Sequence, residues 1–263
     1  MKTAMIALTL VLVLAAGARA EIVVKAVEYE QGGTPLEGKV VYDNASTAKR
    51  PGVLVVHQWM GPTDYELRRA KQLAEMGYVA FVADIYGKGV RPADQKEAGE
   101  TASKFRADWP LLRARAAAGL TALKAQPLVD LQRIAAIGYC FGGGTVLELA
   151  RSGAELAGAV SFHGTLDTPN PADAKNIKAR LLVLHGADDP FVKADQVAAF
   201  KKEMDDAHVK YKFIAYPGAV HGFTMKEAGD DPSKGMAYNA DADAKSWQAM
   251  KDFFAKIFKK MKK

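Results

Sequence analysis

Residues 134–145 read IAAIGYCFGGGT, and the order of chemistry along them selects a fold. An apolar run of the kind buried on both faces of a sheet comes first. It meets a turn at Gly138-Tyr139-Cys140-Phe141-Gly142, and a helical pattern then occupies 141–152. Strand, sharp turn and helix is the setting in which G-x-S-x-G presents a nucleophile, here with cysteine in the serine's place. The two glycines are required because a side chain two residues before or after the nucleophile would strike the neighbouring strand or helix. A thiol at a helix amino terminus is also favoured as thiolate by the dipole and the free N–H groups.

The rest of the chain repeats this grammar. Residues 22–30 and 37–43 read as a leading hairpin turned at Gly32, Gly33 and Pro35. Apolar runs at 52–57, 79–84, 134–139, 157–163, 179–185 and 211–216 are expected strands. Helical patterns lie between and after them at 63–76, 109–125, 141–152, 193–207 and 241–260, the first opened by Thr63 or Asp64 and closed by Gly77. The alternation predicts an α/β fold, a mostly parallel doubly wound sheet of about eight strands with helices on both faces. The polar stretch 87–108 is expected to run over the top of the sheet. Ligands in such sheets bind beyond the carboxyl ends of the strands.

Residues 1–20, MKTAMIALTLVLVLAAGARA, carry an early lysine, an apolar run and an Ala18-Arg19-Ala20 cleavage pattern. They read as a secretory signal followed by one domain over 21–263, exported to a periplasmic or external compartment. The net charge of +6 falls by two without Lys2 and Arg19. Much of the remainder lies in the tail KIFKKMKK, which reads as the solvated end of an amphipathic helix. No other segment is long and apolar enough to span a bilayer, and no nucleic-acid motif is present. The histidines lack metal-ligand spacing, and Gly142-Gly143-Gly144 lacks the lysine of a phosphate loop. Neither a metal nor another cofactor is expected. An exported chain with one cysteine, Cys140, holds an inert thiol, an intermolecular bridge or a reactive group.

A reactive thiol needs a base, and the base an orienting acid. The order nucleophile, acid, histidine directs attention to Asp188 and Asp189 in LLVLHGADDPFV and to His221 in YPGAVHGF. Gly186, Asp189 and Val192 meet a G-x-x-D-x-x-V spacing, leaving Asp188 as a turn former. His57 and His163 fall outside that order, His185 is expected to hydrogen-bond locally, and His208 to sit on the surface. The oxyanion donors are the N–H of Phe141 and that of Trp59 in QWMGP; Trp59 and Met60 could equally be packing residues.

With GYCFGG, ADIYGKG (83–89), HGADDPFV and AVHGF in the same order, the chain resembles the dienelactone hydrolase family of α/β-hydrolases over nearly all of 21–263. The resemblance implies hydrolysis of a small ester or lactone through a thioester acyl-enzyme, with Cys140 as nucleophile, Asp189 orienting, His221 as base and then acid, and Trp59 with Phe141 as the oxyanion hole. It implies a substrate pocket of Gln58, Tyr86, Lys88, Phe223 and Met225, in a monomer or weak dimer. Two departures stand out. Gln58 replaces a glutamate that touches the nucleophile in the archetypal enzymes. Lys88 and Met225, the latter followed by Lys226, stand where those enzymes hold the substrate carboxylate with arginines, and lysine lacks arginine's bidentate fork. A non-catalytic binding or redox-sensing homologue, or a thioesterase or peptidase with the same residues, is the competing expectation.

Overall fold

The computed structural model describes residues 21–259; the signal reading of residues 1–20 and the last four residues of the tail lie outside them. Ten-residue strands β1 (Ile22–Gln31) and β2 (Thr34–Asp43) form an antiparallel hairpin. Its two-residue turn puts Gly32 and Gly33 at φ 57° and 76°, the left-handed pair that matches strand twist in tight hairpins. Pro35, expected in the turn, stands inside β2 opposite Glu30.

The sheet continues through β3 (Arg50–Val56), β4 (Val79–Ala83), β5 (Val129–Tyr139), β6 (Gly158–Phe162), β7 (Arg180–Gly186) and β8 (Tyr211–Tyr216). Its order is β1-β2-β4-β3-β5-β6-β7-β8, with β4 to β8 mutually parallel and β2 antiparallel to β4. The direction of winding reverses between β3 and β5, the topological switch point where such sheets bind ligands.

Side-chain alternation divides the core into two layers. Val53, Val55, Ile137 and Tyr139 face α1 (Asp64–Glu75) and α6 (Ala240–Ile257). Leu54, Val56, Ile134 and Ala136 face α3 (Trp109–Lys124), α4 (Phe141–Arg151) and α5 (Ala194–Asp206). Strands covered on both sides must be apolar at every position, which is why these read as continuous runs.

One helix was not anticipated. The excursion contains α2 (Gln95–Ala107), started by Asp94, whose side chain accepts the Glu97 N–H at 2.8 Å. Its buried stripe is Ala98, Ala102 and Phe105, a helical spacing diluted by polar neighbours. β5 also begins five residues before its apolar run, because Val129 and Asp130 pair with Arg50 and Pro51 ahead of a register shift.

Candidate active site

The residues singled out from sequence converge at the carboxyl ends of the parallel strands. Cys140 follows β5 directly, with φ 52° and ψ −115°, a left-handed conformation strained for any residue with a Cβ. Three contacts hold it there. Its N–H donates to Phe162 O at 3.0 Å. A Cβ on Gly138 would lie 2.0 Å from Gly142 O, and one on Gly142 would lie 2.3 Å from Val56 O. The helix therefore presses on its own strand and on β3 with no room for a methyl group, and Cys140 is left only partly exposed.

The loop after β7 and the loop after β8 meet at this sulfur. Asp189 Oδ2 lies 2.8 Å from His221 Nδ1, and His221 Nε2 lies 3.0 Å from Cys140 Sγ. Asp189 Oδ1 accepts the Phe191 N–H at 2.9 Å, so both carboxylate oxygens are engaged. Asp188 does what a turn former should: its N–H donates to Ala219 O and its Oδ2 accepts the Gly218 N–H, both at 3.0 Å, fastening the two loops together. The backbone of His221 is further clamped by Gly235 and Ala237.

Electrostatics follows from this geometry. Burial alone would push the Cys140 thiol up, but the adjacent His221 charge and hydrogen bond outweigh it, with smaller help from Arg106 and the Phe141 N–H, and the thiol titrates below its ordinary value. Burial would lower His221, yet the neighbouring thiolate and the Asp189 hydrogen bond raise it to about 10. The pair favours thiolate and imidazolium.

The loop after β3, expected to carry one oxyanion donor, is held by residues not singled out from the sequence. Glu66, wholly buried at the third position of α1, accepts the N–H of Gln58 at 3.1 Å and that of Thr63 at 2.9 Å, and also the Thr63 hydroxyl. It is the acidic half of a Thr63–Glu66 capping box, a signal legible in TDYE. Gln58 Oε1 accepts the Met60 N–H at 3.1 Å, which turns the amide into its own loop. Tyr86 donates its hydroxyl to Trp59 O at 2.9 Å and packs on His57, Phe105 and Phe141. The Trp59 N–H donates to no carbonyl among the described residues.

Other expected residues are placed differently. Phe223 is wholly buried between His163 and Tyr216, so it supports the site from below and forms no open wall. Met225 packs against the α1 and α6 layer. Lys88 pairs with Glu28 on β1, because the loop carrying it docks on the hairpin through Lys88 N–H and Pro35 O. His185 makes no local hydrogen bond at Nδ1, which is buried without a partner. His57 is wholly buried: its Nε2 accepts the Ile85 N–H, so Nδ1 carries the proton toward Gln58 O at 2.6 Å. His163, set aside on chain order, packs against His221 with ring centroids 5.3 Å apart and reaches Thr224 Oγ1 at 2.7 Å. Burial, then the charge of His221, hold it well below its ordinary value and keep it neutral.

A groove of about 830 Å³ lies at the amino ends of β7 and β8 beside α6, at the other end of the sheet from Cys140. Among the described residues no group of three or more histidine, cysteine, aspartate or glutamate side chains could hold a metal ion, and no helix is long and apolar enough to cross a membrane.

Comparison with known proteins meets the same geometry. The profile of the Dienelactone hydrolase family matches residues 37–258. An uncharacterized protein of Caenorhabditis elegans is 36% identical over 154 residues, 56% of this chain and 94% of its own. A Synechocystis protein provisionally named a carboxymethylenebutenolidase is 28% identical over 220 residues, 78% of this chain and 85% of its own. Two solved structures are 39% identical: one named m3DLH has a TM-score of 0.87 over 90% of this chain and 99% of its own. The other, described as a dienelactone hydrolase-like promiscuous phosphotriesterase from metagenomic libraries, has a TM-score of 0.86 over 90% and 98%.

Proposed function

The chain belongs to the dienelactone hydrolase family of α/β-hydrolases, hydrolases of esters or lactones, and on that premise we propose that Cys140, His221 and Asp189 carry its reaction through a thioester. The observation behind this reading is the unbroken line from Asp189 Oδ2 through the His221 ring to Cys140 Sγ, at 2.8 and 3.0 Å. The Cys140 thiolate attacks the substrate carbonyl and a C–S bond forms. The resulting oxyanion takes hydrogen bonds from the Trp59 and Phe141 N–H groups, donors that need no reorganisation as charge develops. Collapse breaks the C–O bond while the His221 imidazolium gives its proton to the leaving oxygen. His221, now neutral, draws a proton from water, which attacks the thioester; the acid departs and thiolate and imidazolium are restored.

Asp189 keeps the imidazole oriented and stabilises its charge. Gln58 brings no negative charge near the sulfur, so His221 and the helix terminus carry the activation. With Lys88 committed to Glu28, the pocket is suited to small esters and lactones that do not depend on a lysine at that position. A phosphotriester is the second substrate to try, since a 39% identical structure is described as a promiscuous phosphotriesterase and a P=O oxygen fits the same pair of donors. The signal pattern of residues 1–20 supports export, checked by the amino-terminal residue of the mature protein, expected to be Glu21.

The test is a burst experiment with p-nitrophenyl acetate. The wild-type protein should release about one equivalent of nitrophenol per Cys140 before steady turnover, and Cys140→Ala should release none. Unchanged turnover in Cys140→Ala would sink the proposal.

A further inference from the structure

Phe191 has 60% of its surface exposed, more than any other large apolar side chain of the described residues. Single exposed apolar residues are common and usually mean nothing. The position of this one gives it meaning. It follows Asp189 by two residues and donates its N–H to that carboxylate. Its ring stands perpendicular to the His221 imidazole, at 89° with centroids 5.5 Å apart. The segment at Gly235 also lies beside it, where a Cβ would be 2.8 Å from Pro190 Cγ and 3.4 Å from Phe191 Cζ. The ring therefore stands next to both the histidine and that loop. The other aromatic neighbours of the imidazole and its support, His163 and Phe223, are wholly buried, which leaves Phe191 as the open aromatic surface beside His221.

The chemistry assigned to His221 says what should lie against that surface. During acylation the C–S bond to Cys140 forms, the C–O bond breaks, and the Nε2 proton passes to the leaving oxygen. That oxygen must come within hydrogen-bond reach of Nε2, about 3 Å. Whatever the oxygen carries then projects past the imidazole. A flat ring placed there would meet Phe191 at the 4.5–7 Å centroid separations that aromatic pairs favour.

We propose that Phe191 is the platform for the departing alcohol of an ester, and that the site prefers esters whose leaving oxygen is borne by a flat aryl group over those that release a small alkyl alcohol. This rests on the thioester reading above. The platform acts in acylation, because the alcohol has departed before water attacks.

The experiment compares phenyl acetate with ethyl acetate, which give the same acetyl-enzyme and differ only in the alcohol. Stopped-flow acylation rates are measured for the wild-type protein, Phe191→Ala and Phe191→Tyr. Covering one face of the exposed ring, on the order of 60 Å² at about 25 cal/mol per Å², corresponds to about tenfold in rate. Phe191→Ala should lose about that factor with phenyl acetate and less than about threefold with ethyl acetate, and Phe191→Tyr should recover most of it. Equal losses on both esters, a loss seated in deacylation, or no loss at all would overturn the platform and leave Phe191 an ordinary exposed side chain. A wild-type protein with no Cys140-dependent burst would instead defeat the underlying reading.

Discussion

Replacing His221 by alanine should silence the sulfur as well as the proton transfer, and the two effects can be measured apart. Iodoacetamide alkylates thiolate directly and needs no general acid, so its rate reports ionisation of Cys140 alone. In the native site the imidazolium stands 3.0 Å from the sulfur. At an effective dielectric of roughly 20 that attraction is about 5 kcal/mol, more than three decades in thiolate population. Burial opposes it, and the balance leaves the thiol below its ordinary value. Without the ring, burial acts with only the weaker help of Arg106 and the Phe141 N–H. A cysteine no better than free in solution, near 8.5, is about 3% ionised at pH 7, so alkylation in His221→Ala should fall there by more than threefold and by at most about thirtyfold. The sign with pH is fixed by the same shifts: a depressed thiol and a histidine raised to about 10 give an ion pair that persists from below the ordinary cysteine value up to about pH 10. Wild-type alkylation should reach its plateau at lower pH than that of His221→Ala, while kcat/KM for ester cleavage should decline near pH 10 as the imidazolium loses its proton. Alkylation of His221→Ala within threefold of wild type at pH 7, or wild-type alkylation that rises tenfold per pH unit up to 8.5, would refute the ion-pair argument.

Gly142→Ala puts a methyl group 2.3 Å from Val56 O, backbone against backbone, and should abolish soluble expression or lower Tm by 10 °C or more; a stable, active variant would contradict the close packing of the elbow. Glu66→Gln leaves one good acceptor where three donors converge, so urea unfolding should show a loss of about 1–3 kcal/mol with kcat falling more than KM rises, as the Trp59 loop shifts. Arg106 in the last turn of α2 has no acidic partner among the described residues, yet its charge is felt at Cys140 and Tyr86. Arg106→Gln should move the iodoacetamide titration of Cys140 upward, by an amount that shrinks as salt is raised; an identical titration at low salt would remove Arg106 from the site's electrostatics.

Much of this architecture is legible in the sequence because parallel strands covered on both faces leave little freedom of composition. The run at 211–216 is the strand as it stands, and those at 52–57 and 79–84 needed boundary changes of only a residue or two. The elbow was legible for a different reason, since two backbone contacts near 2 Å admit only glycine at 138 and 142. What the sequence hid was set by tertiary contact. α2 shows its apolar face on Ala98, Ala102 and Phe105 alone, too sparse a stripe to stand out from a polar loop. Lys88 was expected at the pocket on the resemblance, but a surface lysine goes to the nearest carboxylate, and the carboxylate of Glu28 comes from a strand 60 residues earlier. Phe223 and Phe191 are the same residue type one loop apart. Phe223, expected at the pocket, is enclosed, while Phe191, not singled out from the sequence, stands exposed beside His221.

The strand order carries a last consequence. β8 is one of the two edge strands, paired on one side only, and most of its residues are partly or fully exposed; β5, which Cys140 follows directly, sits in the middle of the sheet. Sheet margins open at lower free energy than centres. The proposed proton carrier, His221 on the loop after β8, is therefore mounted on a part of the molecule that lets go early, and the proposed nucleophile on a part that lets go late. As denaturant is raised, hydrolysis should vanish while most of the sheet is still intact, and the sulfur should lose its heightened reactivity at that first step, well before it is exposed by global unfolding.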